Sequence, residues 1–200
     1  MGVQKAMPTI LLATHNAGKL REFRALLASS GWEVLGLADL SIAKQVDENA
    51  SSFAENARLK AISYSLETNL PVLADDSGLE VFALDGRPGV ESARYAGAEA
   101  SDADRIRKLL SELEHARCLR SARFFCALAM AQLGSLILEA TGECLGEIAA
   151  APRGNHGFGY DPVFSVPELG KTFAELDEAE KNRLSHRSRA VESLLKKMPL

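Results

Sequence analysis

Thr9-Ile10-Leu11-Leu12-Ala13 is a continuous apolar run of strand length. The polar stretch Thr14-His15-Asn16-Ala17-Gly18-Lys19 follows it, and Leu20, Phe23, Leu26 and Leu27 then recur at helical spacing until Gly31. Strand, loop and helix in that order are the start of an α/β protein. The rest of the chain extends the pattern. Ser52 and Glu55 have capping-box spacing, Phe53, Ala57, Ala61 and Tyr64 share one helical face after them, and Pro71 opens the next strand. Ser101 and Asp104 begin an amphipathic segment carrying Ile106, Leu109, Leu110 and Leu113. The apolar stretch from Phe124 to Leu138 is interrupted at Gln132, Gly134 and Ser135, which predicts strands over about 122–133 and 136–148 joined by a turn. Ser185 caps a last helix with Val191, Leu194 and Leu195 on one face. The expected fold is mixed α/β with its hairpins late.

A chain of 200 residues, 46% hydrophobic and 25% charged, has the composition of a globular protein that buries a sizeable core. A net charge of -4 argues against a protein that coats nucleic-acid backbone, which needs a basic face. Cys118, Cys126 and Cys144 are odd in number and lack metal-site spacing, so neither a disulfide framework nor a zinc site is indicated, and a reducing cytoplasm fits. The interrupted stretch from Phe124 to Leu138 is too short for a bilayer span, and the first residues, MGVQKAM, have no apolar signal core. Residues 1–6 read as an extension before Met7, and 7–200 as one domain, with no repeats or low-complexity linker.

Chemistry concentrates in the polar loops. Ala74-Asp75-Asp76-Ser77-Gly78 puts two carboxylates side by side where the strand opened by Pro71 is expected to end. Repulsion and desolvation disfavour that pair unless a cation compensates it, and a divalent metal is one such cation. Asp-Ser-Gly is equally ordinary turn chemistry. The loop Thr14 to Lys19 leads into a helix N-terminus, where backbone N–H groups, the helix dipole and the Lys19 ammonium favour a phosphate. It is no Walker A loop, and a plain polar helix start reads the same way.

Glu48, beside Asp47, is either a solvated loop charge or an acidic ligand placed shortly before a helix. In Gly154-Asn155-His156-Gly157-Phe158-Gly159-Tyr160-Asp161-Pro162, glycines let backbone approach a ligand and aromatics offer faces for stacking on a base. Phe158 and Tyr160 read as core plugs just as well. Lys181 and Ser185-His186-Arg187-Ser188 supply cationic donors near a helix start, or simply surface charge.

Taken in order, these segments resemble the Ham1-like inosine triphosphate pyrophosphatase family, which hydrolyses deaminated purine nucleoside triphosphates. The resemblance covers nearly the whole chain. It rests on Thr14 to Lys19, Phe53-Ala54-Glu55-Asn56-Ala57, Ala74-Asp75-Asp76-Ser77-Gly78-Leu79, Pro88-Gly89-Val90 with Ser92-Ala93-Arg94-Tyr95, Gly157-Phe158-Gly159-Tyr160-Asp161-Pro162 and Ser185-His186-Arg187. His15 departs from the pattern, standing where bacterial members often carry a glycine.

The resemblance implies a mixed central sheet flanked by helices, two lobes with a nucleotide cleft between them, a homodimer, and cleavage between the α and β phosphates. It further implies Asp76 as general base and Mg2+ ligand, with Glu48 as the other metal carboxylate. The loop Thr14, His15, Asn16, Ala17, Gly18, Lys19 holds the triphosphate with Ser77. Phe158, Gly159, Tyr160, Asp161, Lys181, His186 and Arg187 recognise the base. Asp75 is left open as ligand, base or positioning residue. A nucleotide-binding module without turnover and a phosphohydrolase acting on pyrimidine triphosphates are the competing readings.

Overall fold

A computed structural model describes residues 7–115 and 120–198. Cys118 and the extension before Met7 lie outside the described residues. Among those described, the strands form a mixed sheet of seven in the order β2-β1-β3-β4-β5-β6-β7. The chain divides into two compact units, the first made of Met1–Asp76, Ala127–Thr141 and Ala190–Leu200, the second of Ser77–Cys126 and Gly142–Arg189.

In the first unit, β1 (Thr9–Leu12) pairs in parallel with β2 (Glu33–Gly36) on one side and with β3 (Val72–Val81) on the other. Ile10, Leu11 and Leu12 are all buried, so both faces of this strand are covered, which is why TILL is apolar without alternation. The connection from β1 to β2 is α1 (Ala17–Leu27), capped by Asn16, whose side chain accepts from the Lys19 N–H. Trp32 lies just before β2. The connection to β3 carries α2 (Phe53–Ser65), capped by Ser52, whose hydroxyl accepts from the Glu55 N–H and donates to the Glu55 carboxylate. Leu11, Leu12, Phe23, Ala57, Ala61 and Leu73 are fully buried here. Burying each of the larger side chains contributes about 1.5–3 kcal/mol.

β3 does not end at the acidic pair. It runs unbroken through Asp75-Asp76-Ser77-Gly78 to Val81, so the expected turn at these residues is absent. β3 lies between β1 and β4 in the sheet, and strand pairing there outweighs the local turn preference of Asp, Ser and Gly, which is a weak term in a central strand.

In the second unit, α3 (Asp102–His115) follows the expected amphipathic segment, and Ile106, Leu109 and Leu113 enter the core. β4 (Ser121–Gln132) and β5 (Ser135–Ile148), whose residues Ala127–Thr141 belong to the first unit, form the expected hairpin. Its two-residue turn has positive φ at both Leu133 (50°) and Gly134 (78°), the geometry that matches strand twist. β6 (Phe164–Val166) pairs antiparallel with β5, and β7 (Lys171–Thr172) pairs antiparallel with β6. An aromatic cluster centres on Phe124, whose ring lies 4.5 Å from Phe164, 5.7 Å from Phe173 and 4.7 Å from His186. Two helices close the chain, α4 (Glu178–Leu184) and α5 (His186–Lys197). The Ser185 hydroxyl accepts from the Ser188 N–H at 3.2 Å, the expected cap of the last helix. No helix among the described residues is long and apolar enough to cross a membrane.

Candidate active site

The first unit gathers acidic and basic side chains from four segments. After β1, Thr14 Oγ1 accepts from the Asn16 N–H at 3.1 Å and Asn16 Oδ1 accepts from the Lys19 N–H at 3.0 Å, so the loop is braced by its own side chains. Ala17 and Gly18 are the first residues of α1. Lys19 Nζ reaches Asp75 Oδ2 at 3.0 Å. Asp75 and Asp76, adjacent on β3, are both buried.

α2 contributes the second half of the cluster. Asn56 and Lys60, one helical turn apart, lie on the buried stripe with Phe53, Ala57, Ala61 and Tyr64. Asn56 Nδ2 donates to Asp76 Oδ2 at 3.0 Å, and Asn56 Oδ1 accepts from the Ala50 N–H at 3.0 Å. Lys60 Nζ donates to Glu48 Oε2 at 2.6 Å and stands 4.0 Å from Asp76 Oδ1. Burial lowers the Lys60 pKa, but Asp75, Asp76 and Glu48 together overcome it and the net movement is upward. Burial raises Asp76 from 3.8 to about 6 against the pull of Lys60 and Lys19, with Glu48 adding to the rise and the Asn56 hydrogen bond opposing it. A carboxylate with a pKa near neutrality is one that can exchange a proton at working pH.

Neither Asn56 nor Lys60 stood out in the sequence as a site residue. Their signal is polar side chains at positions 56 and 60 of the 53, 57, 61, 64 helical stripe, where an apolar residue is expected. His15 faces the same helix, with Nε2 at 3.0 Å from the Lys44 carbonyl and 3.3 Å from the Tyr64 hydroxyl.

The second unit holds a separate set built on the glycine-rich loop. Asp161 Oδ2 accepts from the Phe158 N–H at 2.9 Å and from Lys181 Nζ at 2.5 Å. The tight turn this requires has φ of +76° at Gly157 and +62° at Gly159. A Cβ on Gly157 would stand 2.0 Å from Asp161 Oδ2, so any other residue there displaces that carboxylate. Lys181 Nζ and Arg187 Cζ each lie 5.2 Å from the centre of the Phe158 ring. Arg187 also donates to Ser77 Oγ at 2.8 Å. Lys181 and Arg187 are thus buried cations gathered about one aromatic ring and one hydroxyl.

Two residues of the recognition set lie in the core. His186 is 1% exposed and stacks on Phe124 with an interplanar angle of 15°. Tyr160 is 4% exposed, belongs to the hydrophobic core, and donates its hydroxyl to the Ser92 carbonyl at 3.0 Å. The core alternative stated for Tyr160 is therefore where its ring is found.

The Ham1 family profile matches residues 10–197. The chain is 56% identical over 191 residues to the dITP/XTP pyrophosphatase of Geobacillus kaustophilus, covering 94% of this chain and 93% of that protein. It is 45% identical over 191 residues to the dITP/XTP pyrophosphatase of Bacillus subtilis, covering 95% and 96%. Among solved structures, a HAM1 protein from Coxiella burnetii superposes with a TM-score of 0.86 at 45% identity, covering 95% of this chain and 98% of that one. The Staphylococcus aureus Ham1 protein superposes at 0.83 with 41% identity, covering 94% and 96%. An acidic pair held by lysines on a central strand, a braced strand-to-helix loop and a family match over nearly the whole chain lead to one conclusion: this protein belongs to the Ham1 family.

Proposed function

We propose that this chain hydrolyses deaminated purine nucleoside triphosphates, namely dITP, XTP and ITP, to the monophosphate and pyrophosphate. The observation that carries the reading is the cluster of Glu48, Asp75 and Asp76 with Lys19 and Lys60. Hydrolysis of a polyphosphate needs its charge neutralised, a water deprotonated and the leaving group stabilised. The names carried by the relatives support the substrate class.

The braced loop from Thr14 to Lys19 opens α1, and its backbone N–H groups with the Lys19 ammonium bind phosphate oxygens. Asp76 takes the proton of the water attacking the α phosphorus as the bond to the bridging oxygen breaks, and Lys19 and Lys60 compensate the charge on departing pyrophosphate. Mg2+ suits the donor set, because Glu48 and Asp76 offer hard carboxylate oxygens that already face a cation, the Lys60 ammonium. No group of three or more His, Cys, Asp or Glu poised for a metal occurs among the described residues. Mg2+ takes one or two carboxylates and completes its shell with phosphate and water. When bound, it neutralises phosphate charge and acidifies the attacking water.

In the second unit Phe158 stacks on the base, while Lys181 and Arg187 donate to the 6-oxo group. Adenine presents an amino group there, and donors facing donors leave buried groups unpaired. Ser77 offers a hydroxyl to a phosphate oxygen, and His186, next to Arg187 in the chain, stacks on Phe124 in the core.

The test is pyrophosphate and orthophosphate release from dITP, XTP, ITP, ATP, GTP and dTTP with and without Mg2+. Magnesium-dependent pyrophosphate from the first three supports the reading. Orthophosphate as primary product would place the cut at another bond, and binding without turnover would leave a nucleotide-binding module. The same reading extends to a cytoplasmic homodimer without nucleic-acid or membrane partners. A light-scattering mass near 21.5 kDa, the monomer, would defeat the dimer.

A further inference from the structure

Within the second unit, the residues Pro88 to Tyr95 have no part in the chemistry above, although their sequence is distinctive. Ser92 is the junction of this segment. Its Oγ accepts from the Leu79 N–H of β3 at 2.9 Å and donates to the Gly89 carbonyl at 2.6 Å, while its own carbonyl receives the Tyr160 hydroxyl at 3.0 Å. One side chain of the glycine-rich loop is therefore fastened to a segment that is itself fastened to the sheet.

A second fastening lies one residue away. The Gly159 N–H donates to Asp102 Oδ2 at 2.7 Å, across 57 residues of sequence. Asp102 is held in turn by Arg105, whose NH2 pairs with Asp102 Oδ1 at 2.5 Å. Arg105 NH1 donates to the carbonyls of Ala93 at 2.8 Å and Ala100 at 2.6 Å. A groove of about 550 Å³, walled by Asp102, Ile106 and Leu110 on α3 and by Gly157, Phe158 and Gly159 on the loop, separates much of the two elements. Where packing is interrupted, the Asp102 hydrogen bond bridges α3 and the loop. Phe158 and Gly159 thus have successive N–H groups held by two carboxylates, Asp161 from within the loop and Asp102 from α3.

We propose that Asp102 is a positioning residue for base selection: clamped by Arg105, it fixes the Gly159 amide and so holds the loop on which Asp161 places the Lys181 donor beside the Phe158 ring. This rests on the reading of Phe158, Lys181 and Arg187 as the base-recognition set. Asp102 touches no substrate and acts through the loop. Removing it frees the loop without altering the carboxylates and lysines of the first unit, so its effect falls on substrate affinity and on discrimination.

The test compares wild type with Asp102→Ala, Asp102→Asn and Tyr160→Phe on ITP and ATP, with melting temperature recorded for each. Asp102→Ala is expected to raise KM for ITP about tenfold, change kcat less than about threefold, and lower the ITP-to-ATP ratio of kcat/KM about tenfold. Asp102→Asn keeps an acceptor for the Gly159 amide and should restore KM to within about threefold of wild type. Tyr160→Phe removes only the hydroxyl that reaches Ser92 and should move KM in the same direction as Asp102→Ala, so the inference stays testable if the alanine variant does not fold. An unchanged KM and ratio in folded Asp102→Ala would overturn the inference, as would an Asn variant as impaired as the alanine one. Wild-type protein that fails to turn over ITP would defeat the proposed activity instead, which separates the two failures.

Discussion

Lys60 Nζ sits 2.6 Å from Glu48 Oε2, so a helix residue and a residue of the preceding loop are joined beside the acidic pair of β3. Lys60 is 6% exposed, and its charge, with that of Lys19, opposes the rise that burial gives the Asp76 carboxyl. Lys60→Met preserves the apolar stem and removes the ammonium. It should lower stability by about 2 kcal/mol, read by denaturant titration, and pyrophosphate release by tenfold or more.

Asp76 has the opposite relation to stability. Its folded-state pKa of about 6 lies above the ordinary 3.8, so the folded protein holds the proton more tightly than the unfolded chain. Ionisation therefore destabilises the fold; the penalty is fully present above pH 6 and disappears as the pH falls toward 3.8, where both states are protonated. Asp76→Asn should raise the melting temperature of metal-free protein at pH 8 by the equivalent of at most about 3 kcal/mol. The gain should shrink steadily toward pH 4, while turnover falls on the order of a hundredfold or more. A variant less stable than wild type at pH 8 would contradict the burial assigned to this carboxylate.

Arg187 and Phe158 divide affinity from selectivity. The guanidinium lies over the ring and donates to Ser77, so Arg187→Ala removes a directional donor, while Phe158→Ala removes a stacking face every purine can use. Arg187→Ala should reduce kcat/KM for ITP far more than for ATP, and Phe158→Ala should weaken both alike. An ITP-to-ATP ratio untouched by Arg187→Ala would remove it from base recognition.

Gly157→Ala tests the turn itself. Positive φ and a Cβ placed 2.0 Å from Asp161 Oδ2 force that carboxylate away from the Phe158 N–H and Lys181. The expected loss is about 1–3 kcal/mol of loop or global stability, seen as faster amide exchange at Phe158 and a raised KM.

Helical and strand periodicity in the sequence predicted α1, α2, α3 and the β4–β5 hairpin because each presents one apolar face, a pattern local to its segment. β6 and β7, of three and two residues, are too short to carry a period. The continuation of β3 through Asp75 to Gly78 was hidden because turn-forming residues were overruled by neighbours distant in sequence. Among candidate site residues, those in loops with unusual composition were named through family resemblance. Asn56, Lys60 and Asp102 were not, since each looks like an ordinary helix residue until its partner across 20, 12 or 57 positions is known.

The acidic pair inside β3 also matters before the chain folds. Pro71 to Leu84 alternates apolar clusters that would otherwise suit cross-chain pairing, and residues Asp75 and Asp76 interrupt them with charge. Their lysine partners come from α1 and α2, elements that must form before those charges are compensated. In the unfolded chain the carboxylates are ionised at neutral pH and repel a second copy, so the segment resists intermolecular β-stacking until its own helices arrive. Asp76→Asn, though more stable once folded at alkaline pH, gives up one of those charges and should form more aggregate during refolding at high protein concentration.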